Sequence, residues 1–496
     1  MNSSMIRIVI GHVMKIEGIL LLLPCLVAMI YREDQGFVYL ILAALSYVIG
    51  VLVTLRKPDD KTLYLKEGCV ATSLSWIVLS AIGALPFFIT GEIPSYTDAL
   101  FETISGFTTT GSSILEDIEA LSHTALFWRS FTHWVGGMGV LVFLLSIVTL
   151  SGGSTINLMK AESPGPSVSK ITPKIKSSAR TLYYIYAFLT VAEIILLLVG
   201  GCPIFDAVTT AFGTAGTGGF SIKGDSIAGY SPYIQWVVTV FMIMFGVNFN
   251  AYYFILLKKV KDAFNMEEVR WYLGIILASI IIIFVNIRGM FSTFEETLRV
   301  SAFQVASIIT TTGFATADFD TWNTTCKVII IMLMFVGACA GSTGGGMKVS
   351  RFVIVSKTIG KEINGYLNPK SVKKILFEGK PADHEMLRSV NVYFMTYIVI
   401  FTLSLFLVSF QGEDYTTTFT AVATCINNIG PGLNKLGPTC NFYFMSGLSK
   451  YVLMFDMLAG RLELFPLLIM IQPSLWCDVV KRKYKSHMVK RGRVNK

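Results

Sequence analysis

Short segments rich in threonine, glycine and asparagine recur four times along this chain of 496 residues. The four windows are "ISGFTTTGS" (104–112), "FGTAGTGGF" (212–220), "ASIITTTGF" (306–314) and "ATCINNIGP" (423–431). Their aligned glycines are Gly111, Gly219, Gly313 and Gly430. Glycine accepts backbone dihedral angles that strain other residues, so successive carbonyl groups can turn toward one axis. Rings of carbonyl oxygens can replace the hydration shell of a cation, and the windows therefore predict an ion pore.

A single TTTG segment is more often an ordinary turn, so the hypothesis depends on the repeat. Each window follows an apolar span, a short acidic loop and a stretch of helix-like sequence, and a second apolar span comes after it. Lipid-exposed irregular backbone is not tolerated, so such a loop must line a cavity or be buried in protein. Each short helix would direct its partially negative C-terminal end at that cavity, which favours a cation. The threonine hydroxyls either add ligands or brace the loop from behind.

The composition supplies the elements that must position these loops. Hydrophobic residues make up 53% of the chain and charged residues only 15%, whereas soluble domains have about a quarter charged residues. Crossing a bilayer takes about 20 apolar residues. Runs of this kind lie at 12–31, 36–55, 68–90, 125–150, 181–201, 233–257, 271–289, 325–356, 389–410 and 443–475. These runs predict an all-α polytopic membrane protein with four pseudo-symmetric helix–pore-loop–helix repeats around one ion pore, plus two extra N-terminal transmembrane helices.

The repeat boundaries follow from this pattern. We expect two N-terminal helices in 1–60, repeats in 61–165, 166–265, 266–375 and 376–480, and a basic tail in 481–496. Residues 16–30 could also form a signal-peptide core, but we favour a retained helix.

The net charge of +9 is unevenly placed. Most of the 41 lysines and arginines lie in one alternate set of loops and in the tail, while the opposite loops contain acidic groups such as Glu116 and Asp117. The positive-inside rule therefore predicts that both termini are cytoplasmic. We interpret the tail as a topology signal that contacts lipid headgroups and not as a nucleic-acid site.

The remaining composition excludes other functions. The eight cysteines and five histidines are scattered, and no CxxC or paired ligand spacing indicates a metal site. No nucleophile–base pair or His/Asp cluster supports an enzyme. We expect no bound cofactor, and four intact glycine windows argue against a purely structural subunit.

A second glycine-rich segment, "AGSTGGGMKVS" (340–350), interrupts an apolar span. A phosphate-binding loop needs lysine directly after its second glycine, but here Met347 intervenes. The segment predicts a break in the second helix of the third repeat, although close helix packing is an alternative. Arg461 lies deep in another span, where a charge is costly and usually functional. We assign no role to Glu17 and Glu193.

The four windows, the two leading helices and "GACAGSTGGGMK" (337–348) resemble the Trk/Ktr/HKT superfamily of potassium transporters, and in particular its TrkH type, over essentially the whole chain. The resemblance implies potassium uptake across the bacterial plasma membrane, with K+ as the transported ion. It also implies a homodimer with one pore per subunit and a cytosolic, TrkA-like nucleotide-binding regulator.

Matched position by position, the resemblance implies a selectivity filter that binds K+ at Thr108, Thr109, Thr110, Gly111, Gly216, Thr217, Gly218, Gly219, Thr310, Thr311, Thr312, Gly313, Asn427, Asn428, Ile429 and Gly430. Relatives with serine at the first glycine tend to pass Na+, so Gly111 favours K+. The second and fourth windows depart from TTTG, which leaves the exact ligands open. A Na+-permeable transporter, or one coupled to Na+ or H+, remains the alternative.

The resemblance implies a gate at Gly341, Ser342, Thr343, Gly344, Gly345, Gly346 and Arg461. Gly341 lies 28 residues after Gly313 and Arg461 lies 31 after Gly430, so pseudo-symmetric repeats would put both at similar depth. An unwound loop offers free carbonyls to the five donors of a guanidinium. The alternative is that Asp456 or Glu463 neutralises Arg461 and the group only holds helices together.

Overall fold

The computed structural model describes residues 1–56, 58, 63–139, 175–370 and 374–476. Its helices are α1 (Ser3–Leu20), α2 (Leu22–Tyr31), α3 (Gly36–Leu55), α4 (Leu65–Ile89), α5 (Tyr96–Phe107), α6 (His123–Gly137), α7 (Ile175–Val199), α8 (Ile204–Gly216), α9 (Pro232–Gly246), α10 (Phe249–Leu256), α11 (Val260–Asn265), α12 (Glu267–Ile287), α13 (Phe294–Ile309), α14 (Thr324–Val336), α15 (Val349–Leu367), α16 (His384–Ser409), α17 (Tyr415–Asn427), α18 (Gly447–Arg461) and α19 (Phe465–Ile471). Two strands, β1 (Leu376–Phe377) and β2 (Lys380–Pro381), form an antiparallel hairpin between α15 and α16.

The predicted membrane architecture is confirmed. Six stretches of helix in the described residues are long and apolar enough to cross a membrane, and the bent pair α9 and α10 makes a seventh. Large apolar side chains such as Phe37, Ile41 and Leu403 remain exposed on these helices, as a lipid-facing surface requires. The molecule is therefore a helical protein with an apolar outer surface.

Four three-helix units follow one another along the chain, each with a long helix, a short helix and a second apolar helix. The short helices are α5, α8, α13 and α17. Each second helix begins at a polar residue whose side chain accepts a backbone N–H of the first turn, which satisfies a donor that the helix leaves free. These residues are Ser122, Ser231, Asn323 and Ser446.

The two leading spans pack closely on each other outside the repeats. A methyl group on Gly18 would lie 2.7 Å from the carbonyl oxygen of Ala43, and one on Gly50 would lie 2.7 Å from that of Gly11. Small residues let helix backbones approach at this distance, which is how helices associate in a lipid environment.

The second helices break more often than the sequence predicts. The break expected within 325–356 is present, since α14 ends at Val336 and α15 begins at Val349. The uninterrupted spans predicted at 233–257 and 443–475 are wrong, because α9 and α10 meet at 92° and α18 ends at Arg461. Positive φ angles of 57° at Glu463 and 65° at Leu464 end the latter helix. The second half of span 125–150 and the tail 481–496 lie outside the described residues.

Candidate ion pore

The short helices end in the same C-terminal turn in all four repeats. The residue two positions before each aligned glycine is left-handed, namely Thr109 (φ 55°), Thr217 (φ 54°), Thr311 (φ 60°) and Asn428 (φ 56°). In the first repeat Thr109 N donates to Gly106 O at 3.1 Å and Thr110 N to Ser105 O at 2.8 Å, and the same pair of bonds recurs in the others. This is a Schellman motif with Thr or Asn where glycine is usual. Left-handed backbone costs such residues roughly 1–2 kcal/mol each, so packing between the loops must offset the strain.

The four aligned glycines close a ring. A methyl group on Gly111 would lie 2.1 Å from the carbonyl oxygen of Gly218, one on Gly219 1.9 Å from Thr312, one on Gly313 2.1 Å from Ile429, and one on Gly430 3.0 Å from Thr110. Each contact is therefore made with the residue before the glycine of the next repeat, and the fourth contact returns to the first repeat. A side chain on Gly111, Gly219 or Gly313 would clash with that oxygen, whereas Gly430 leaves slightly more room. All sixteen predicted filter residues lie in the loops of the ring or in the last turn of the helices that lead into them.

In the first and third windows, the first and third threonine hydroxyls bond to each other within the loop. The hydroxyls of Thr108 and Thr110 are 2.8 Å apart, and Thr108 donates to Ile104 O at 2.6 Å. The same 2.8 Å contact joins Thr310 and Thr312. These four hydroxyls therefore brace the loops.

Polar residues at the far ends of the short helices fix their direction. Thr293 accepts from Glu296 N at 3.1 Å, and Asp414 accepts from Thr417 N at 3.0 Å. Hydrogen bonds from the Thr417 hydroxyl and backbone lower the pKa of Asp414 to about 2, so this cap is charged at neutral pH. Three of the four short helices, α5, α13 and α17, thus start at a side-chain cap, whereas α8 starts after Pro203 without one. All four end with their partial negative charge at the ring.

A buried ion pair beside the ring was missed by the sequence analysis. Arg129 Nε lies 2.5 Å from Glu102 Oε1, and both side chains are almost fully buried. Arg129 also donates to Ser221 O at 2.7 Å, while Glu102 accepts from Ile114 N at 2.9 Å. The pair therefore ties the chain segments that leave the first and second windows. Its one indication in the sequence was a charge inside the apolar run 125–150, which requires a partner in a membrane.

His133 joins the same two repeats. Its Nδ1 lies 2.7 Å from Gly106 O, and Phe220 N donates to its Nε2 at 3.2 Å. These partners require the neutral ring with its proton on Nδ1, because Nε2 acts as the acceptor. An isolated histidine gave no sequence pattern from which this contact could be predicted.

The glycine-rich segment 337–348 packs directly against the ring, where it contacts the loops of the third and fourth repeats. Gly345 N donates to Thr311 Oγ1 at 2.5 Å, and Gly346 N donates to Asn427 O at 3.0 Å. A methyl group on Gly344 would lie 2.9 Å from Thr310 O. We refer to residues 337–348 as the intramembrane loop, which begins where α14 ends.

The structure brings Arg461 to this intramembrane loop, as predicted. Its guanidinium donates to Thr343 O at 2.9 Å and to Gly137 O at 2.8 Å, so it joins the first, third and fourth repeats. The carboxylates suggested as alternative partners bond elsewhere: Asp456 accepts from Ser404 at 2.7 Å, and Glu463 pairs with Arg351.

Lys348, a buried cation of the intramembrane loop itself, was overlooked by the sequence analysis. Its Nζ donates to Gly344 O and, at 3.2 Å, to Gly345 O. Ser342 bonds to Cys339 O at 2.6 Å, and Gly341 O accepts from Phe249 N at 3.0 Å. All seven predicted gate residues thus lie in one cluster or in contact with it.

The described residues contain no cluster of side chains typical of a metal site. No group of three or more His, Cys, Asp or Glu residues there could hold a metal ion.

Comparison with known proteins identifies the family. The model of the TrkH family, described as cation transport protein, matches residues 35–476. The chain belongs to the TrkH family. The Trk system potassium uptake protein TrkH of Salmonella typhimurium is 34% identical, over 96% of this chain and all of that protein. TrkG of Escherichia coli K12, also a Trk system potassium uptake protein, is 31% identical over the same shares.

A solved structure resembles the fold of this TrkH-family chain. The crystal structure of the potassium transporter TrkH from Vibrio parahaemolyticus superposes with a TM-score of 0.85 at 30% identity, covering 95% of this chain and 99% of that one.

Proposed function

We propose that this protein takes up K+ through the ring formed by its four glycine loops. The observation that best supports the proposal is the closed ring, in which each loop contacts the next and the fourth contacts the first. The similar proteins named above as potassium uptake proteins support the choice of ion.

The backbone carbonyls of the ring replace the water molecules around a K+ ion as it enters. No carboxylate belongs to the four windows, so the ring has the neutral oxygens that suit a monovalent cation. Divalent ions prefer charged oxygen ligands. The C-terminal ends of the four short helices add partial negative charge at the same place. Inward movement is driven by the membrane potential, which is worth about 2.3 kcal/mol per charge for each 100 mV.

The intramembrane loop and Arg461 act as the gate. The loop lies against the ring, where Gly345 and Gly346 donate to residues of the third and fourth repeats. Arg461 holds Thr343 of this loop, and its positive charge opposes the passage of a cation. Lys348 adds a second positively charged group on the same loop. Opening requires the loop to leave these contacts.

The protein acts as the membrane subunit of a bacterial Trk system. The names of its relatives support this role, and the distribution of lysine and arginine supports cytoplasmic termini in the plasma membrane. Within the system it forms a homodimer and is regulated by a cytosolic TrkA-like nucleotide-binding protein.

The test is ion flux in proteoliposomes under imposed K+, Na+ and H+ gradients. The parent should show a reversal potential that follows K+. The variants Gly111→Ser and Gly313→Ser should raise Na+ permeation relative to K+, because each added side chain displaces a carbonyl oxygen about 2.1 Å away. Unchanged K+ affinity and selectivity in both variants would show that the ring is not the filter. A potential that follows Na+ or H+ would instead favour a Na+-permeable or coupled transporter.

A further inference from the structure

One carboxylate bonds both to the intramembrane loop and to the helix just after it. Glu268, the second residue of α12, is buried, and its Oε1 accepts from Ala340 N at 2.7 Å and from Ser350 N at 3.2 Å. Ala340 lies within the loop, and Ser350 lies in the first turn of α15, just after the loop ends. A negative charge is favourable at a helix N-terminus, so the start of α15 stabilises this carboxylate.

The second oxygen of Glu268 reaches the break in the neighbouring repeat. Asn248 Nδ2 donates to Glu268 Oε2 at 3.2 Å, and Asn248 Oδ1 accepts from Asn250 N at 3.0 Å at the start of α10. The next residue along, Phe249, donates its N–H to Gly341 O at 3.0 Å. Glu268 is therefore bonded at one point to the loop, to the helix after it and to the bend between α9 and α10.

The β1–β2 hairpin (376–381) holds the helix that contains Glu268. Glu378, at the turn of the hairpin, accepts from Glu267 N at 3.0 Å with one carboxylate oxygen and from Glu268 N at 3.1 Å with the other. Lys357 of α15 donates to Leu376 O at 2.7 Å and pairs with Glu267. Glu378 of the hairpin thus caps the N-terminus of α12 at Glu268, the residue that bonds to the loop.

We propose that Glu268 is the positioning residue that keeps the intramembrane loop closed against the ring, and that the hairpin regulates the loop through Glu378. The inference rests on the proposed function, since it concerns how the proposed gate is held. Displacement of the hairpin removes the cap from the first turn of α12, so Glu268 shifts. Ala340 in the loop and Ser350 just after it then lose their common acceptor. A regulatory subunit that binds the hairpin can consequently move the loop through these contacts.

An exchange of donor and acceptor between Glu268 and Asn248 can distinguish a positioning role of Glu268 from a general effect on stability. Glu268→Gln keeps one acceptor oxygen for Ala340 and Ser350 but turns an amide donor toward the donor of Asn248. Adding Asn248→Asp restores an acceptor at that contact and still caps α10. Glu378→Ala tests the hairpin, and Glu385→Gln, an exposed carboxylate in the first turn of α16, is the charge-matched control.

The experiment measures K+ flux in proteoliposomes that contain the full chain and no other subunit, together with K+ over Na+ selectivity. Glu268→Gln loses the bond from Asn248 to a carboxylate, and Glu378→Ala loses the bonds from the first turn of α12. Losing a hydrogen bond to a charged group shifts the equilibrium between closed and open loop by about tenfold or more, so each variant should raise flux by about that factor. The double variant Glu268→Gln/Asn248→Asp should return to within about twofold of the parent because the pair is coupled. Selectivity should stay that of the parent throughout.

Unchanged flux in Glu268→Gln, or the same increase in Glu385→Gln, would overturn the inference. So would a double variant that conducts as much as Glu268→Gln alone. If Glu268→Gln does not accumulate in membranes, Glu378→Ala decides, because it removes only the cap and leaves residue 268 unsubstituted. Failure of the proposed function would be seen separately, as a parent that shows no K+ selectivity.

Discussion

The ring of glycines is not symmetric, and its asymmetry predicts an order of sensitivity to substitution. A methyl group on Gly219 would lie 1.9 Å from the carbonyl oxygen of Thr312, whereas one on Gly430 would lie 3.0 Å from that of Thr110. Both glycines have positive φ, 76° and 96°. Gly219→Ala should therefore damage the ring far more than Gly430→Ala.

The distances set the size of the difference. Ordinary contact begins at 3.4 Å, so the Thr312 oxygen must move by about 1.5 Å to admit a methyl group on Gly219. The Thr110 oxygen must move by only a few tenths of an ångström to admit one on Gly430. Left-handed strain, roughly 1–2 kcal/mol, applies to both variants and cancels in the comparison. Overpacking adds about 1–3 kcal/mol, mainly at Gly219. This corresponds to a loss of K+ preference of about tenfold or more.

The assay is the ratio of K+ to Na+ flux, supported by growth of a K+-uptake-deficient strain at limiting K+. Gly91→Ala is the matched control, because Gly91 has φ 78° but nothing within 4 Å of the added methyl group. We expect Gly91→Ala to leave selectivity unchanged and Gly430→Ala to change it less than Gly219→Ala. An equal loss of K+ selectivity in Gly430→Ala and Gly219→Ala would refute the argument that contact between neighbouring loops sets the carbonyl positions.

Two further predictions concern Arg461 with the intramembrane loop and the Glu102–Arg129 ion pair. Without other subunits, Arg461→Ala and a deletion of 342–345 should each conduct more K+ than the parent, because the loop loses its bond at Thr343 or its contact with the ring. The K+ flux of Arg461→Lys should lie between those of the parent and Arg461→Ala. Well-folded variants with unchanged or lower flux would exclude the gate. Glu102→Gln should lower the free energy of unfolding by about 3 kcal/mol, because it leaves the Arg129 guanidinium buried without a full charge partner. Thermal unfolding in detergent measures this, and an unchanged midpoint would contradict it.

Local sequence patterns were sufficient for the architecture and for the residues of the ring. Apolar runs of about 20 residues identify membrane helices because the thickness of the bilayer sets their length. The aligned glycines Gly111, Gly219, Gly313 and Gly430 could be found because each repeat encodes its short helix and turn within a few residues. The same local logic identified the break after Val336, where a run of glycines interrupts an apolar span.

Breaks without such a run were not predicted. The helix that ends at Gly246 and the one that ends at Arg461 read as uninterrupted apolar sequence, and their ends depend on contacts with other repeats. Gly246 O, for example, accepts from Cys339 N at 3.1 Å, nearly a hundred residues away in the chain. The intramembrane loop thus satisfies backbone groups at the bend of another repeat, a pairing that no local pattern contains.

The sequence by itself determined that this is a helical membrane protein of four repeats. It also placed a glycine in the loop after each short helix, and an arginine at a depth similar to that of a glycine-rich break in another helix. Only the tertiary structure decided which carbonyl each glycine meets, that Glu102 pairs with Arg129, and that Glu268 accepts from both Ala340 and Ser350. The physical reason is the distance along the chain over which each interaction acts. Hydrophobic periodicity and turn preferences act between near neighbours in the chain, whereas a buried charge is stable only where distant segments bring donors and acceptors to it.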